Sequence, residues 1–219
     1  SLRWYQAAWE NQLVQSAAIR SIVVATIASI VATVLATMVA LATTRTRPYR
    51  GQTIIYAMVN QPLVVPEIVT AVALLILFAL IKQATNYHGY AYLVIAHSAF
   101  CIPFAYLPIR ARLEGMDRVL ETAAADLYAT PWRAFKRITL PLMLPGIFAG
   151  AMLAFVISLD DVVITEFVKS AGQDTLPTYM LGQLRRSITP EINAISTVLL
   201  GISVLMVTLI FFISRKKTA

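Results

Sequence analysis

The chain has 219 residues, of which 58% are hydrophobic and only 13% charged, and its mean hydropathy is +0.72. Soluble domains have about 25% charged residues, so this composition excludes an ordinary soluble domain and indicates an integral membrane protein. The net charge of +7 does not indicate nucleic-acid binding, because the basic residues cluster at the ends of apolar segments, as orienting charges do. The single Cys101 excludes an intrachain disulfide, and we expect it to be buried as a small apolar residue.

The sequence shows none of the motifs that mark catalytic, metal-binding or nucleotide-binding sites. It contains no metal-ligand spacing, phosphate-binding glycine loop or nucleophile motif. The two histidines, His88 and His97, have no cysteine partner. We expect His97, which lies in an apolar segment, to be a hydrogen-bonded packing residue rather than a ligand. The sequence therefore predicts no catalytic residue, metal or cofactor on this chain.

Five apolar segments are long enough to cross a bilayer, which takes about 20 residues of helix. They cover approximately residues 21–43, 54–81, 90–109, 143–168 and 194–214. The sequence thus predicts an all-α integral membrane protein, with five transmembrane helices in a single domain over residues 1–219. Before the first segment, Trp4, Tyr5 and Trp9 indicate an amphipathic stretch over residues 1–19 in the headgroup layer.

The first two apolar segments differ in character. Segment 21–43 has small residues three and four apart, which allow a neighbouring helix to approach closely. Segment 54–81 is interrupted by Pro62 and Pro66, and prolines at membrane depth need protein or a wet cavity to satisfy the freed carbonyls. Glu67 in the same segment would cost roughly 2.5–3.5 kcal/mol as a charge facing lipid, so we expect it to face the bundle interior. It is either a pathway residue or a neutral or hydrogen-bonded structural residue.

The fourth apolar segment contains two adjacent carboxylates, Asp160 and Asp161, with Glu166 close behind. Consecutive residues on a helix point about 100° apart, so the pair cannot share one role on a regular helix. One of them could face a solute pathway while the other pairs or caps a helix break. In the alternative interpretation both stabilise the helix bundle, whatever the solute.

The basic residues predict the orientation of the chain. Twelve fall on one side of the five segments: Arg45, Arg47, Arg50, Arg110, Arg112, Arg118, Arg133, Lys136, Arg137, Arg215, Lys216 and Lys217. Six fall on the other: Arg3, Arg20, Lys82, Lys169, Arg185 and Arg186. This bias places the loop over residues 110–142 and the C-terminus in the cytoplasm, and residue 1 outside.

The most informative stretch of that loop is TAAADLYATPWRAFKRITLP, residues 122–141. Residues 123–125 are strong helix formers. Thr130 is a good N-cap, and Pro131 suits the first position of a new helix. The stretch therefore predicts two short helices with a bend between them. The second, residues 132–137, is basic and aromatic, and it can lie on the lipid surface or in the groove of a partner.

This stretch resembles the EAA loop of ABC-type importer permeases, in which Glu-Ala-Ala, three residues, Gly, nine residues, Ile, one residue and Leu-Pro follow in order. The positions that match are Ala123, Ala124, Ile138, Leu140 and Pro141. Thr122 stands in the glutamate position, with Glu121 one residue earlier, and Tyr128 stands in the glycine position. A shift of one residue turns a side chain by about 100° on a helix.

In that family the loop forms a cytoplasmic coupling helix that docks into an ATP-hydrolysing subunit. The resemblance therefore implies contacts with such a subunit from Glu121, Thr122, Ala123, Ala124, Asp126, Leu127 and Tyr128.

Further stretches resemble the permeases of spermidine/putrescine importers, and the similarity covers nearly the whole chain. They are PEIVTAVALLILF, HSAFCIPFAY, SLDDVVITEFV, LPTYML and SITPEINAISTVLL. The resemblance implies a permease subunit in the bacterial inner membrane that forms half of the pathway for a polyamine or related cation. Polyamines, opines and amino-acid derivatives all remain open as solutes at this point. The residues expected along that pathway are Glu67, Asp160, Asp161 and Glu166.

The same resemblance implies the partners. They are a second permease subunit in a heterodimer, two ATP-binding subunits, an extracytoplasmic solute-binding protein and the surrounding lipid, with no nucleic acid. ATP and Mg²⁺ would bind the partner subunits and not this chain. Similar permeases begin inside the cell and have six spans, so we expect a first span to be missing from this sequence.

Two other functions remain open at this point. A self-contained secondary transporter or channel would also have broken helices and intramembrane acids, although the internal inverted repeats typical of one are not visible. A membrane-embedded enzyme would need a nucleophile, a metal or an acid–base pair, and only carboxylates are present.

Overall fold

The computed structural model describes residues 3–87, 89–186 and 190–215, so His88, Lys216 and Lys217 lie outside the described residues. The helices are α1 (Arg3–Glu10), α2 (Gln12–Thr44), α3 (Gln52–Val64), α4 (Glu67–Thr85), α5 (Ala91–Glu114), α6 (Val119–Asp126), α7 (Pro131–Ala134), α8 (Leu140–Asp160), α9 (Val163–Val168), α10 (Leu176–Leu184) and α11 (Pro190–Arg215). Five helices within the described ranges are long and apolar enough to cross a membrane: α2, α4, α5, the continuous helix from α7 to α8, and α11. The predicted class, an all-helical membrane protein with five spans, is confirmed.

The centre of the bundle is formed by α2, α5 and α8. On α2 the buried face consists of small residues three and four apart, as its sequence predicts: Ala25, Ala28, Ala32, Ala36 and Ala40. Tyr106 and Ile109 of α5 and Met143 of α8 fill the space beside this face. Cys101 is buried in the same cluster, as expected.

The contact between α5 and α8 depends on two glycines of α8 that are four residues apart. A Cβ atom at Gly150 would lie 2.6 Å from the carbonyl oxygen of Ala105, and one at Gly146 would lie 2.6 Å from the Cβ of Arg112. Small residues at this spacing let the backbones of two membrane helices approach closely. The close approach holds α8, and the acidic residues at its end, against α5.

The second apolar segment, predicted as one span over residues 54–81, is two helices. Helix α3 ends at Val64, and α4 begins at Glu67. Val65 between them is extended, with φ −85° and ψ 133°, because the residue before a proline is disfavoured in the helical region. Only α4 is long enough to span, and it extends to Thr85.

The fourth apolar segment also differs from its predicted bounds of 143–168. Thr130 caps a helix at Pro131 as predicted, accepting a hydrogen bond from the amide of Arg133. That helix does not stop at residue 137. It continues through a π-helical turn, Phe135–Thr139, into α8 and ends at Asp160. The basic, aromatic stretch is therefore an extension of the membrane span rather than a separate short helix.

Contacts between helices tie the chain together at both ends of the bundle. At the end that includes α6, Arg118 donates to the carbonyl of Thr44 at the end of α2. At the opposite end, Arg20 of α2 donates to the carbonyl of Asp174 at 3.3 Å, and Lys82 of α4 donates to Ser170 at 3.2 Å. The α9–α10 loop and α6 are thereby held at opposite ends of the spans.

Candidate functional site

Three carboxylates from separate parts of the sequence line one cavity of about 430 Å³. Glu67 is the first residue of α4, Asp160 is the last residue of α8, and Asp161 follows in the break before α9. They meet because two helices begin and one ends at the same level of the bundle. The rest of the lining is apolar: Phe100, Phe104, Val156, Ile157, Val162 and Val163. The cavity therefore combines three grouped carboxyl groups with hydrocarbon walls.

Asp160 is the exposed member of the adjacent pair. Its carboxylate accepts the hydroxyl of Ser203 in α11, with oxygen–oxygen distances of 3.0 and 3.1 Å. It also borders a second, mainly apolar cavity of about 410 Å³ between α10 and α11. A carboxylate has about four acceptor sites on its two oxygens, so Asp160 has acceptor capacity left for a cation.

Asp161 is only 7% exposed, and its carboxylate accepts hydrogen bonds from residues of the same chain. It accepts from the amide of Ile164 at 3.2 Å, and from the amide and hydroxyl of Thr165 at 2.8 and 2.7 Å. These bonds satisfy backbone donors in the first turn of α9, which have no partner within the helix. The side chain of Asp161 therefore caps α9, although Val162 occupies the N-cap position itself. Asp160, the other member of the pair, faces the cavity.

His97 is buried beside this break. Its Nδ1 lies 2.7 Å from the hydroxyl of Ser158, and its Nε2 lies 2.9 Å from the hydroxyl of Thr165. The Nε2 atom is also 3.5 Å from a carboxylate oxygen of Asp161. The expectation that His97 is a hydrogen-bonded packing residue is confirmed.

Glu166, the fourth acid expected along the pathway, lies away from the cavity lining. Its carboxylate is 2.6 Å from the ammonium of Lys169, which is also 2.7 Å from Asp174. Partial burial alone would lower the pKa of Lys169, but hydrogen bonds to the two carboxylates outweigh it, so its pKa lies above the ordinary value. Glu166 is therefore neutralised within the chain.

At the other end of the bundle, α6 presents most of the residues expected to contact an ATP-hydrolysing subunit. Leu127 is 81% exposed and Tyr128 95%, and Thr122, Ala123 and Asp126 are also exposed. Ala124 is the exception, because it is buried against its own chain at 7% exposure. That the exposed face binds such a subunit stays a prediction, and Ala124 does not belong to that face.

Glu121 points toward its own bundle. Its carboxylate accepts the hydroxyl of Thr139 at 2.9 Å and lies 3.4 Å from the Nε of Arg45. These contacts tie α6 to the end of α2 and to the π-helical turn. The one-residue displacement from the motif position therefore has a structural consequence, since this acid fastens α6 to the bundle.

Tyr128 occupies a conformation that sequence reasoning missed. Its φ is +58°, and the amides of Ala129 and Tyr128 donate to the carbonyls of Ala124 and Ala125 at 3.0 and 2.9 Å. This pair of bonds is a Schellman motif, whose left-handed position is usually occupied by glycine. The sequence did contain a signal for this conformation. Tyr128 stands in the glycine position of the EAA motif, and glycine is the residue that most readily adopts a positive φ.

The membrane-crossing helices, the acidic cavity at a helix break and an exposed helix at the opposite end define a multi-pass membrane transport subunit. The chain belongs to the family described as binding-protein-dependent transport system inner membrane component, whose sequence profile matches residues 32–216. It is thus a permease subunit of a binding-protein-dependent ABC importer, a class in which ATP is hydrolysed on separate subunits. This membership excludes the self-contained transporter or channel and the membrane-embedded enzyme.

Curated relatives lie within the same family. The chain is 38% identical over 204 residues to the putrescine transport system permease protein PotI of Escherichia coli, covering 92% of this chain and 73% of that protein. It is 36% identical over 217 residues to the spermidine/putrescine transport system permease protein PotC of Haemophilus influenzae, covering 99% and 83%. The PotC protein of Escherichia coli is 34% identical over 216 residues, covering 99% and 80%.

Solved structures support the fold. An amino acid ABC transporter matches with a TM-score of 0.71 at 16% identity, over 97% of this chain and 98% of that chain. The MetNI methionine ABC transporter, in an inward-facing conformation, matches with a TM-score of 0.71 at 19% identity, over 92% and 91%. At such identities the likeness shows a shared fold and nothing about the solute.

Proposed function

We propose that this chain forms half of the translocation pathway for a polyamine or a closely related organic cation. The observation that supports this most is the convergence of Glu67, Asp160 and Asp161 on one cavity with apolar walls. Carboxylates grouped in a low dielectric repel one another and favour a bound cation. An aliphatic chain with ammonium groups matches both the charge and the walls, and the curated relatives are named for putrescine and spermidine.

The proposed division of roles follows the hydrogen bonds. Asp160 makes the direct contact with an ammonium group, because its carboxylate is exposed to the cavity. Asp161 also lines the cavity and adds negative charge there, but its oxygens are occupied by the first turn of α9. Glu67 approaches from the start of α4 and is a second, weaker contact. Glu166 is left out of the site, because Lys169 neutralises it.

The proposed assembly has this chain paired with a different permease subunit, which completes the pathway. The importer has two ATP-binding subunits, which hold ATP and Mg²⁺, and one of them docks onto the exposed face of α6 of this chain. An extracytoplasmic solute-binding protein delivers the cation. We place the importer in the bacterial inner membrane.

The orientation rests on the twelve-to-six bias of basic residues, which puts α6 in the cytoplasm. A cysteine replacing the exposed Arg133 is expected to react with a membrane-impermeant maleimide only from the side that receives ATP, in a background in which Cys101 is replaced by alanine. One replacing Ala171, exposed in the α9–α10 loop, should react only from the opposite side. Reaction of both cysteines from one side would contradict the orientation.

The solute is tested by uptake into proteoliposomes that contain the whole importer, with the binding protein outside and ATP inside. We expect ATP-dependent uptake of labelled putrescine or spermidine. Excess unlabelled diamine should compete, whereas 1,4-butanediol, which has the same chain length without charge, and succinate, which has the opposite charge, should not. Uptake of a neutral or anionic solute in place of the amines would show that the family membership holds and the proposed solute is wrong.

A further inference from the structure

A buried chain of hydrogen bonds connects three helices behind the acidic cavity. It runs from Ser158 in α8 to Nδ1 of His97 in α5 at 2.7 Å, and from Nε2 to Thr165 in α9 at 2.9 Å. Thr165 in turn donates to Asp161 at 2.7 Å. All four residues are buried, with exposures of 4% or less for three of them and 7% for Asp161.

The chemistry of the four groups allows a single direction for these bonds when the imidazole is neutral. An ionised carboxylate only accepts, so the Thr165 hydroxyl gives its proton to Asp161. The Thr165 oxygen must then accept from Nε2–H of His97, and the remaining ring nitrogen must accept from Ser158. His97 is thereby assigned the tautomer with its proton on Nε2. Every polar atom of these four side chains then has a hydrogen-bond partner.

The position of this chain in the fold links it to the proposed solute contact. Ser158 lies in the last turn of α8 and Thr165 in the first turn of α9, so His97 spans the break that directly follows Asp160. Asp160 is the last residue of α8, so its side chain keeps the direction set by that helix only while the last turn stays helical. The hydrogen bonds at Ser158 and at Asp161 hold the residues on either side of it. The position of the break therefore decides where the carboxylate of Asp160 points.

We propose that His97 is a positioning residue that fixes the α8–α9 break and thereby aims Asp160 into the acidic cavity. His97 itself does not line the cavity and is 1% exposed, so it acts through Ser158 and Thr165 rather than on the solute. The effect of this positioning on transport rests on the proposed function, in which Asp160 contacts the cation.

The sharpest variant is Thr165→Val, which keeps the shape of the side chain and removes the hydroxyl that joins His97 to Asp161. Thr165→Ser is the matched control, because it keeps the hydroxyl. In the whole importer we expect Thr165→Val to raise the half-saturating polyamine concentration about tenfold per assembled complex, while Thr165→Ser stays within about twofold of wild type. His97→Leu should have a similar effect, and the double variant should add little, because both changes break the same chain.

A role in packing alone predicts a different result. In that case Thr165→Val and His97→Leu would reduce the amount of assembled importer and its melting temperature, and the half-saturating concentration of the remaining complexes would not change. That result would overturn the proposal. If neither variant assembles, Ser158→Ala, which removes only the far end of the chain, must still raise the half-saturating concentration for the proposal to stand.

A labelling measurement separates this inference from the proposed function. With Cys101 replaced by alanine, Asp160→Cys reports the exposure of that position to a cationic thiol reagent. Thr165→Val is expected to change the labelling rate severalfold, and Thr165→Ser is not. An altered rate in an importer whose Asp160→Asn variant transports normally would support the positioning role and refute the cation contact. An unaltered rate would refute the positioning role.

Discussion

Replacing Leu127 with arginine is expected to abolish ATP-driven uptake while leaving the membrane bundle folded. Leu127 lies at the end of α6 and is 81% exposed, and it forms an apolar patch with Tyr128, which is 95% exposed. We expect Leu127 to be one of the few hot-spot residues of the interface, each of which costs about 2 kcal/mol or more when it is lost. An unpaired charge in its place adds a desolvation cost. We therefore expect the ATP-binding subunits to be lost on purification and uptake to fall at least about 30-fold.

The design of this variant keeps its effect local. A cation near a helix C-terminus interacts favourably with the helix dipole, so arginine at position 127 does not weaken α6 itself. Val119→Arg is the control at the start of the same helix, where Val119 is 64% exposed. The helix dipole disfavours a cation at that end, so this variant controls both for the added charge and for a weakened α6. It should retain most of the uptake. Ala124→Arg would be a poor test, because Ala124 is buried against its own chain. Normal copurification and uptake in the Leu127 variant would refute α6 as the docking helix.

The second large effect is expected at Asp160. Asp160→Asn keeps the shape of the side chain and removes the charge that we assign to the cation contact. A hydrogen bond to a charged group is worth about 1.5–3 kcal/mol, which corresponds to a loss of affinity of roughly 10- to 150-fold. Glu67→Gln should have a weaker effect of the same sign. Asp161→Asn should instead reduce assembly, because the amides of Ile164 and Thr165 depend on that carboxylate.

Much of the architecture could be predicted because its causes are local in sequence. The five spans follow from apolar runs, and the buried stripe of α2 follows from the spacing of its alanines. The break before α4 follows from Pro66, although the sequence alone predicts one interrupted span rather than two helices. The bounds of α8 could not be predicted in the same way. The basic stretch ahead of it is polar enough to end a membrane span but is still helical.

The site could be predicted only in part. The angle of about 100° between consecutive helical residues correctly predicted that Asp160 and Asp161 take different positions. The local sequence does not indicate which of the two caps α9. The convergence of Glu67 with them depends on how α4 packs against α9, and no local pattern reports that. Likewise, Lys169 and Asp174 lie in the loop after α9, and only the folded loop shows that they neutralise Glu166.

The inward direction of Glu121 depends on tertiary contacts too. In the sequence it is an acid displaced by one residue from a motif position, which leaves its role open. In the fold Arg45 and Thr139 come together beside it. The departure from the motif at Tyr128 is explained more simply, since a left-handed position tolerates glycine best but does not require it.

The central claim is that Asp160 binds the transported cation, and the half-saturating polyamine concentration of the reconstituted importer tests it most directly. The measurement compares wild type, Asp160→Asn and the control Glu10→Gln, which removes an exposed charge of the same sign from α1. We predict an increase of roughly 10- to 150-fold for Asp160→Asn and no change for Glu10→Gln, with equal amounts of assembled complex. A fully assembled Asp160→Asn importer with wild-type half-saturation would contradict the claim.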